Sequence, residues 1–297
     1  MPCIALVTAR AARGTDYDMP PLLAALRNTG AYASEVDWDD ATVDWSRFDL
    51  ALLRSTWDYF ERLPAFLDWA ARVSKQTRLL NPLDVIRWNT DKHYLAHLEH
   101  AGVPVVPSRF VEPGDDPDVA VRAWLAACPQ AADVVVKPAV GAGSRDAQRH
   151  ERNRADAIVA HARRLLDADR SVLMQPYLDR VDEHGETALL YFDGAFSHAI
   201  CKGPLLRRNA ESTTGLYAEE TITPRVPSAD EQSVAQRALD AIPFERPLLY
   251  ARVDLIHDNG ESPRVLELEL VEPSVFVAHA DGVAERFARA ILGHAQP

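Results

Sequence analysis

The sequence holds none of the short signatures of the commonest nucleotide and hydrolytic enzymes: no GxxxxGK followed by Ser or Thr, no GxGxxG, no HExxH and no GxSxG. That removes the P-loop, dinucleotide, zinc-protease and serine-hydrolase readings, so an ATP site, if present, is built another way. Cysteine is scarce. Cys3, Cys128 and Cys201 are odd in number and far apart, which excludes a disulfide framework and a CxxC metal knuckle and fits a reducing compartment. No stretch approaches the ~20 apolar residues of a membrane span, and Met1 to Val7 lacks the basic start of a secretion signal, so a cytoplasmic protein is expected. Basic charge is also lacking. A formal net charge of −12 argues against a general binder of nucleic acid or anionic membrane, although a nucleotide needs only a local basic pocket.

What is present is a chain of 297 residues, enough for about two compact units. Cys3 to Thr8 reads as a strand, Arg10 to Asp18 as a polar loop and Pro21 to Thr29 as a helix. A second apolar strand, Asp49 to Leu53, runs into Arg54-Ser55-Thr56-Trp57-Asp58-Tyr59, and a helical pattern follows through Phe66, Trp69, Ala70 and Val73. This alternation predicts a parallel sheet with ligand groups at its carboxyl edge. Leu80-Asn81-Pro82 closes that unit, and a helix is expected from about Asp91 to His100, stopped by Gly102 and Pro104. From Val134 the pattern turns to strands, with Asp193-Gly194 as a tight hairpin turn, while Asp115 to Asp118 reads as a solvated loop.

Near the end, Tyr250 to Ile256 and Val265 to Leu270 both alternate with period two around the turn Asp258-Asn259-Gly260. If Ile256 faces Val265, Asp254 faces Glu267 and Arg252 faces Glu269, with all four charges on one side. Opposed carboxylates repel by up to about 1 kcal/mol per exposed pair. A cation reverses the sign, and Mg²⁺ takes such hard oxygen ligands. A solvated face relieved by Arg252 is the competing reading.

Lys137 emerges from the apolar strand Asp133 to Val136 beside Gly141-Ala142-Gly143-Ser144, where backbone N–H groups can approach phosphates. Lys92 opens the expected helix, Lys202 ends the strand Phe196 to Cys201, and Gln175 and Tyr177 flank Pro176. Taken singly, each has a plain alternative as a surface lysine, an edge residue or a packing residue.

In their order along the chain, these pieces resemble the ATP-grasp superfamily over nearly the whole length. The resemblance rests on Lys92 before Ala101-Gly102-Val103-Pro104, Lys137-Pro138 with its glycine-rich flap, and Leu173-Met174-Gln175-Pro176-Tyr177. It continues through Gly185-Glu186 to Arg252-x-Asp254 and Glu267-x-Glu269, where Glu269 departs from the usual Glu-x-Asn. It implies an α/β domain (1–84) followed by a two-lobed α+β fold, with a first lobe over 85–180 and a second over 181–297. It also implies ATP and Mg²⁺. Lys92, Lys137 and the flap residues Gly141, Gly143 and Ser144 would hold phosphates, Gln175 and Tyr177 the adenine, and Glu186 the ribose. Lys202 would approach the γ-phosphate, Asp254, Glu267 and Glu269 would hold the metal, and Arg252 would stabilise the reacting acyl group.

Arg54-Ser55, Lys202-Gly203-Pro204-Leu205-Leu206-Arg207 and Thr213-Thr214-Gly215 are similar to the subgroup containing the O-ureido-D-serine cyclo-ligase of D-cycloserine biosynthesis, an antibiotic. The implied activity is an ADP-forming ligation closing a ring on a small carboxylate. The rivals are an intermolecular amide ligase and a catalytically idle nucleotide-binding module. Arg54, Ser55, Asp58, Thr213 and Thr214 are the candidates for the acid, and a homo-oligomer is compatible with the family.

Overall fold

A computed structural model describes residues 1–208 and 221–295. Three sheets organise it. Strands β1 (Cys3–Thr8), β2 (Tyr32–Asp37), β3 (Leu50–Ser55) and β4 (Arg78–Leu80) form a parallel sheet in the order β2-β1-β3-β4. Helices α1 (Met19–Asn28) and α2 (Leu63–Val73) connect them, each with proline in its first turn, where the missing N–H costs nothing.

Next come α3 (Leu83–Asn89), α4 (Tyr94–His100), β5 (Arg109–Val111), α5 (Pro117–Ala127), β6 (Asp133–Pro138), β7 (Gln148–Glu151), α6 (Ala155–Leu166) and β8 (Val172–Pro176). The strands form an antiparallel sheet, β5-β8-β6-β7. Asp116, expected in a solvated loop, instead caps α5 by accepting from the Asp118 N–H.

The third sheet is antiparallel, in the order β11-β10-β9-β12-β13. It contains β9 (Glu186–Phe192), β10 (Ala195–Lys202), β11 (Ile222–Arg225), β12 (Tyr250–His257) and β13 (Pro263–Glu269), with α7 (Val181–His184) before β9 and α8 (Ala229–Asp240) before β12. Asp193 and Gly194 both take positive φ between β9 and β10, as the hairpin reading requires. Ser228 and Glu231 form a reciprocal capping box on α8.

The β12–β13 pairing places Asp254 opposite Glu267 and Arg252 opposite Glu269. Val265, however, faces Leu255 rather than Ile256, because a bulge follows Asp254. The bulge absorbs one residue, so the charged positions keep their register while those beyond the bulge shift.

The edge of β13 is covered rather than exposed. Asn89 donates to the Leu268 carbonyl and accepts from the Leu270 N–H, and the Tyr94 hydroxyl accepts from the Leu268 N–H. Asn81 likewise donates to the carbonyls of Tyr250 and Leu270 and accepts from the Leu249 N–H. The last helix, α9 (Val283–Gly293), returns to the beginning of the chain. Phe287 and Ile291 join Ile4, Leu6, Leu22 and Leu26 of the first sheet and its helix, together with Phe192 and Tyr250 of the third sheet, in one apolar core. Among the described residues, no helix is long and apolar enough to cross a membrane.

Candidate active site

The three sheets meet around a cavity of about 850 Å³. Every residue expected to bind nucleotide or metal, or to act in catalysis, lines it. Lys137 projects from β6, and Gln175 and Tyr177 stand at the end of β8. Gly141, Gly143 and Ser144 form the loop beyond β6. The opposite wall carries Glu186 and Lys202, at facing positions of β9 and β10, and the β12–β13 charges.

The positive and negative groups of the two walls are paired. Lys137 Nζ donates to Glu267 Oε1 at 2.7 Å, and Lys92 Nζ lies 3.9 Å from the same oxygen while donating to the Gly141 carbonyl at 3.0 Å. Lys92 was expected to open a helix; α4 starts two residues later, and the Lys92 N–H is bound to the Ala139 carbonyl instead. Its side chain is therefore set by the flap loop rather than by a helix end. Lys202 Nζ donates to Asp254 Oδ2 at 2.8 Å and is also ion-paired with Glu186. Arg252 grips Asp254 through Nε and Nη2 at 2.8 and 2.9 Å, pairs with Glu269 and donates to the Ser274 carbonyl.

These contacts set the charge states. Burial works to raise Glu267, but Lys137 and Lys92 hold its carboxyl at about 2. Against the same effect of burial, Arg252 and Lys202 keep Asp254 well below the usual carboxylate range. Burial raises Glu269 against the opposing Arg252, and Asp254 adds to the rise. Burial, with the Glu269 charge behind it, pushes nearby Glu272 up to about 8. Asp254 is 2% exposed, while Glu267 and Glu269 are half-buried, so this face of the hairpin lines the cavity rather than open solvent. Asp254, Glu267 and Glu269 offer one face of hard oxygens beside Glu272, a donor set that fits Mg²⁺.

At the other end, Gln175 donates to the Ser108 hydroxyl at 3.0 Å. Tyr177 is fixed by the Arg149 guanidinium, 3.4 Å above its ring, and by a hydrogen bond from its hydroxyl to Asp182. Gly185 precedes Glu186 with φ +75° and ψ −175°, and a Cβ there would lie 2.8 Å from the Lys202 carbonyl oxygen, so this position requires glycine.

The residues expected to meet the acid are placed differently. Arg54 and Ser55 belong to β3 and are fully buried, and neither they nor Asp58 lines the cavity. Arg54 donates to the Pro273 carbonyl at 2.9 Å and lies against the rings of Tyr250 and Phe287. Ser55 shares a hydrogen bond with Thr8, and Asp58 accepts from Trp38 and Arg62. The physical reason is that residues 272–277 fold over the end of β3 and seal it. Thr213 and Thr214 lie outside the described residues.

In place of these residues, the cavity wall is completed by Asp16 and Asp18 from the β1–α1 loop and by Phe276 and His279 beyond β13. Asp18 accepts from the N–H groups of Val275, Phe276 and Val277 at 2.6, 3.0 and 2.8 Å. Asp16 Oδ2 is buried without a hydrogen-bond partner, and burial raises its pKa. The signal for both was their place just beyond the carboxyl end of the first strand; nothing local marked Phe276 or His279.

A family model for the N-terminal domain of the D-cycloserine synthetase DcsG matches residues 4–81. The cycloserine biosynthesis protein DcsG of Streptomyces lavendulae is 44% identical over 301 residues, covering all of both chains. A crystal structure of D-cycloserine synthetase DcsG superposes with a TM-score of 0.92 at 44% identity, over 99% of this chain and 100% of that one. A D-alanine–D-alanine ligase from Bacillus anthracis shares the fold, with a TM-score of 0.69 at 15% identity over 99% and 97% of the two chains. The chain belongs to the D-cycloserine synthetase family.

Proposed function

We propose that this chain uses Mg·ATP to cyclise O-ureido-D-serine to D-cycloserine. The observation that carries the site assignment is the pairing of Lys137 with Glu267 across the cavity and of Lys202 with Asp254 within the facing wall. Each lysine assigned to a phosphate is paired with a carboxylate assigned to the metal. Phosphates and a divalent cation entering together exchange both partners, so no buried charge is left alone. Gln175 and Tyr177 face the base and Glu186 the ribose. Lys92, Lys137 and the Gly141 to Ser144 loop take the phosphates, and Lys202 reaches the transferred one. Asp254, Glu267 and Glu269 would hold Mg²⁺, whose charge would offset that of the phosphates.

In the first step a substrate carboxylate oxygen attacks the γ-phosphorus and ADP leaves. The oxygen-bound nitrogen of the same molecule then attacks the acyl carbon, phosphate departs with the bond pair, and the nitrogen gives up its proton. Water removes the carbamoyl group as carbon dioxide and ammonia. Arg252 serves the oxyanion that develops at the acyl carbon. Asp16, with its unpartnered buried oxygen, receives the substrate ammonium. Holding amine and acyl phosphate in one molecule replaces a bimolecular encounter, with effective molarities that reach ~10⁵ M or more.

Mass spectrometry of the products from O-ureido-D-serine with Mg·ATP alone tests this. D-cycloserine with one ADP per ring is expected. AMP and pyrophosphate, or ADP only when an external amine is added, would overturn it, the latter in favour of an intermolecular ligase.

A further inference from the structure

His184 ends α7, Glu231 lies in the first turn of α8 and His257 ends β12, so three separate elements bring two imidazoles and a carboxylate together, and none of the three lines the cavity. A potential ligand atom from each lies within 4.8 Å of those of the other two. Glu231 Oε1 stands 3.9 Å from His184 Nε2 and 3.9 Å from His257 Nε2, and the two imidazole rings meet edge to face with centroids 4.2 Å apart. Glu231 and His257 are 3% and 8% exposed, and His184 is more open. Glu231 Oε1, His184 Nε2 and His257 Nδ1 are buried and have no hydrogen-bond partner.

The separations decide what can satisfy these atoms. At 3.9 Å, Glu231 Oε1 is too far from His184 Nε2 and from His257 Nε2 to hydrogen-bond either. A point equidistant from three atoms so spaced lies roughly 2.3–2.5 Å from each, well short of the ~2.8 Å that water needs and slightly beyond the Zn–N and Zn–O lengths of about 2.0–2.2 Å. A small side-chain adjustment closes that gap.

We propose that His184, Glu231 and His257 form a Zn²⁺ site separate from the nucleotide and Mg²⁺ cavity, with the fourth position left to water on the open His184 side. The second carboxylate oxygen, Oε2, accepts from the Ser228 N–H at 2.7 Å and so fixes the orientation of the ligand. Thr187 and Ser228 keep Glu231 ionised against burial, and burial together with the neighbouring Arg225 keeps His184 neutral, which are the ligand states that zinc requires. Arg225 is held at the rim by Thr187 and by the His184 carbonyl rather than by the carboxylate. The ion would staple α7, α8 and β12 beside the Gly185-Glu186 step.

The test is zinc titration of chelator-treated protein with Mg²⁺ and ADP in excess, so that the catalytic cavity is filled. One Zn²⁺ per chain is expected, with a rise in melting temperature, and Co²⁺ in its place should give the visible absorption of a four-coordinate nitrogen–oxygen site. His257→Ala should weaken zinc binding by about tenfold or more and abolish the thermal shift. His184→Ala, at the open side, is the second variant should the first fold poorly. Absence of zinc from the wild type, zinc displaced by Mg·ADP, a Co²⁺ spectrum without nitrogen ligands, or equal zinc affinity in either variant would overturn the site.

Discussion

Lys137 Nζ donates to Glu267 Oε1 at 2.7 Å, joining β6 of one sheet to β13 of another across the cavity. The contact is the join between the walls, and under the proposed function it opens when phosphates and a cation arrive. Glu267→Gln removes the charge and keeps the shape. Turnover should fall by about 100-fold or more, with unchanged circular dichroism, because ligand loss acts on the chemistry rather than on the fold. ADP release measured across a Mg²⁺ series checks this, and wild-type rates at limiting Mg²⁺ would refute it.

Arg252 grips Asp254 with two nitrogens and also reaches the Ser274 carbonyl. Arg252→Ala should lower kcat by about 10²–10³ while changing ADP affinity several-fold at most, because its assigned task begins after nucleotide is bound. Arg252→Lys should not restore the rate, since an ammonium cannot reproduce the fork. Single-turnover kinetics beside ADP titration separates the two effects.

Gly185→Ala places a methyl group 2.8 Å from the Lys202 carbonyl oxygen, in a backbone conformation that only glycine adopts readily. A loss of about 1–3 kcal/mol in stability is expected. Nucleotide affinity should fall with it, because Glu186 and Lys202 both move. Urea melts and ADP titration report the two losses separately.

Asp18 accepts three backbone N–H groups from residues 275–277. Asp18→Asn turns one of its oxygens into a donor facing donors, and the cost should be about 2 kcal/mol. Asp16→Asn, by contrast, should raise KM for the acid and leave ADP affinity alone. Equal effects of the two variants on KM would contradict the separate roles given to these neighbours.

His161 and His198 are buried, and burial is the leading cause that pushes both imidazoles down to about 4. Each is neutral in the folded protein at pH values where the unfolded chain, titrating near 6.5, takes up a proton. Their contribution is therefore present above pH ~6.5 and is lost as pH falls toward 4, by up to about 3 kcal/mol for each. Urea midpoints should hold between pH 8 and 7 and decline below 6.5, with a shallower decline in His198→Gln.

The β12–β13 charges were legible because period-two alternation fixes which side chains share a face, and the order of the lysines and glycines supplied the rest of the cavity. Arg54 was not. An arginine at the carboxyl end of a strand is a ligand group if that end is open and a buried brace if something covers it, and the covering carbonyl belongs to Pro273, 219 residues away. The bulge after Asp254 falls where alternation breaks, at the adjacent apolar residues Val265 and Leu266, and two such residues do not by themselves tell a bulge from a strand buried on both faces.

The contact between α1 and α9 bears on the order of assembly. Ile4, Leu6, Leu22 and Leu26 share their core with Phe287 and Ile291 as well as with Phe192 and Tyr250, all from the later part of the chain. During synthesis, the first sheet emerges with this face uncovered and stays so until the last described helix leaves the ribosome. The N-terminal unit is therefore exposed to aggregation longest, although it is made first. Truncation within α9 should reduce soluble yield more sharply than its short length implies.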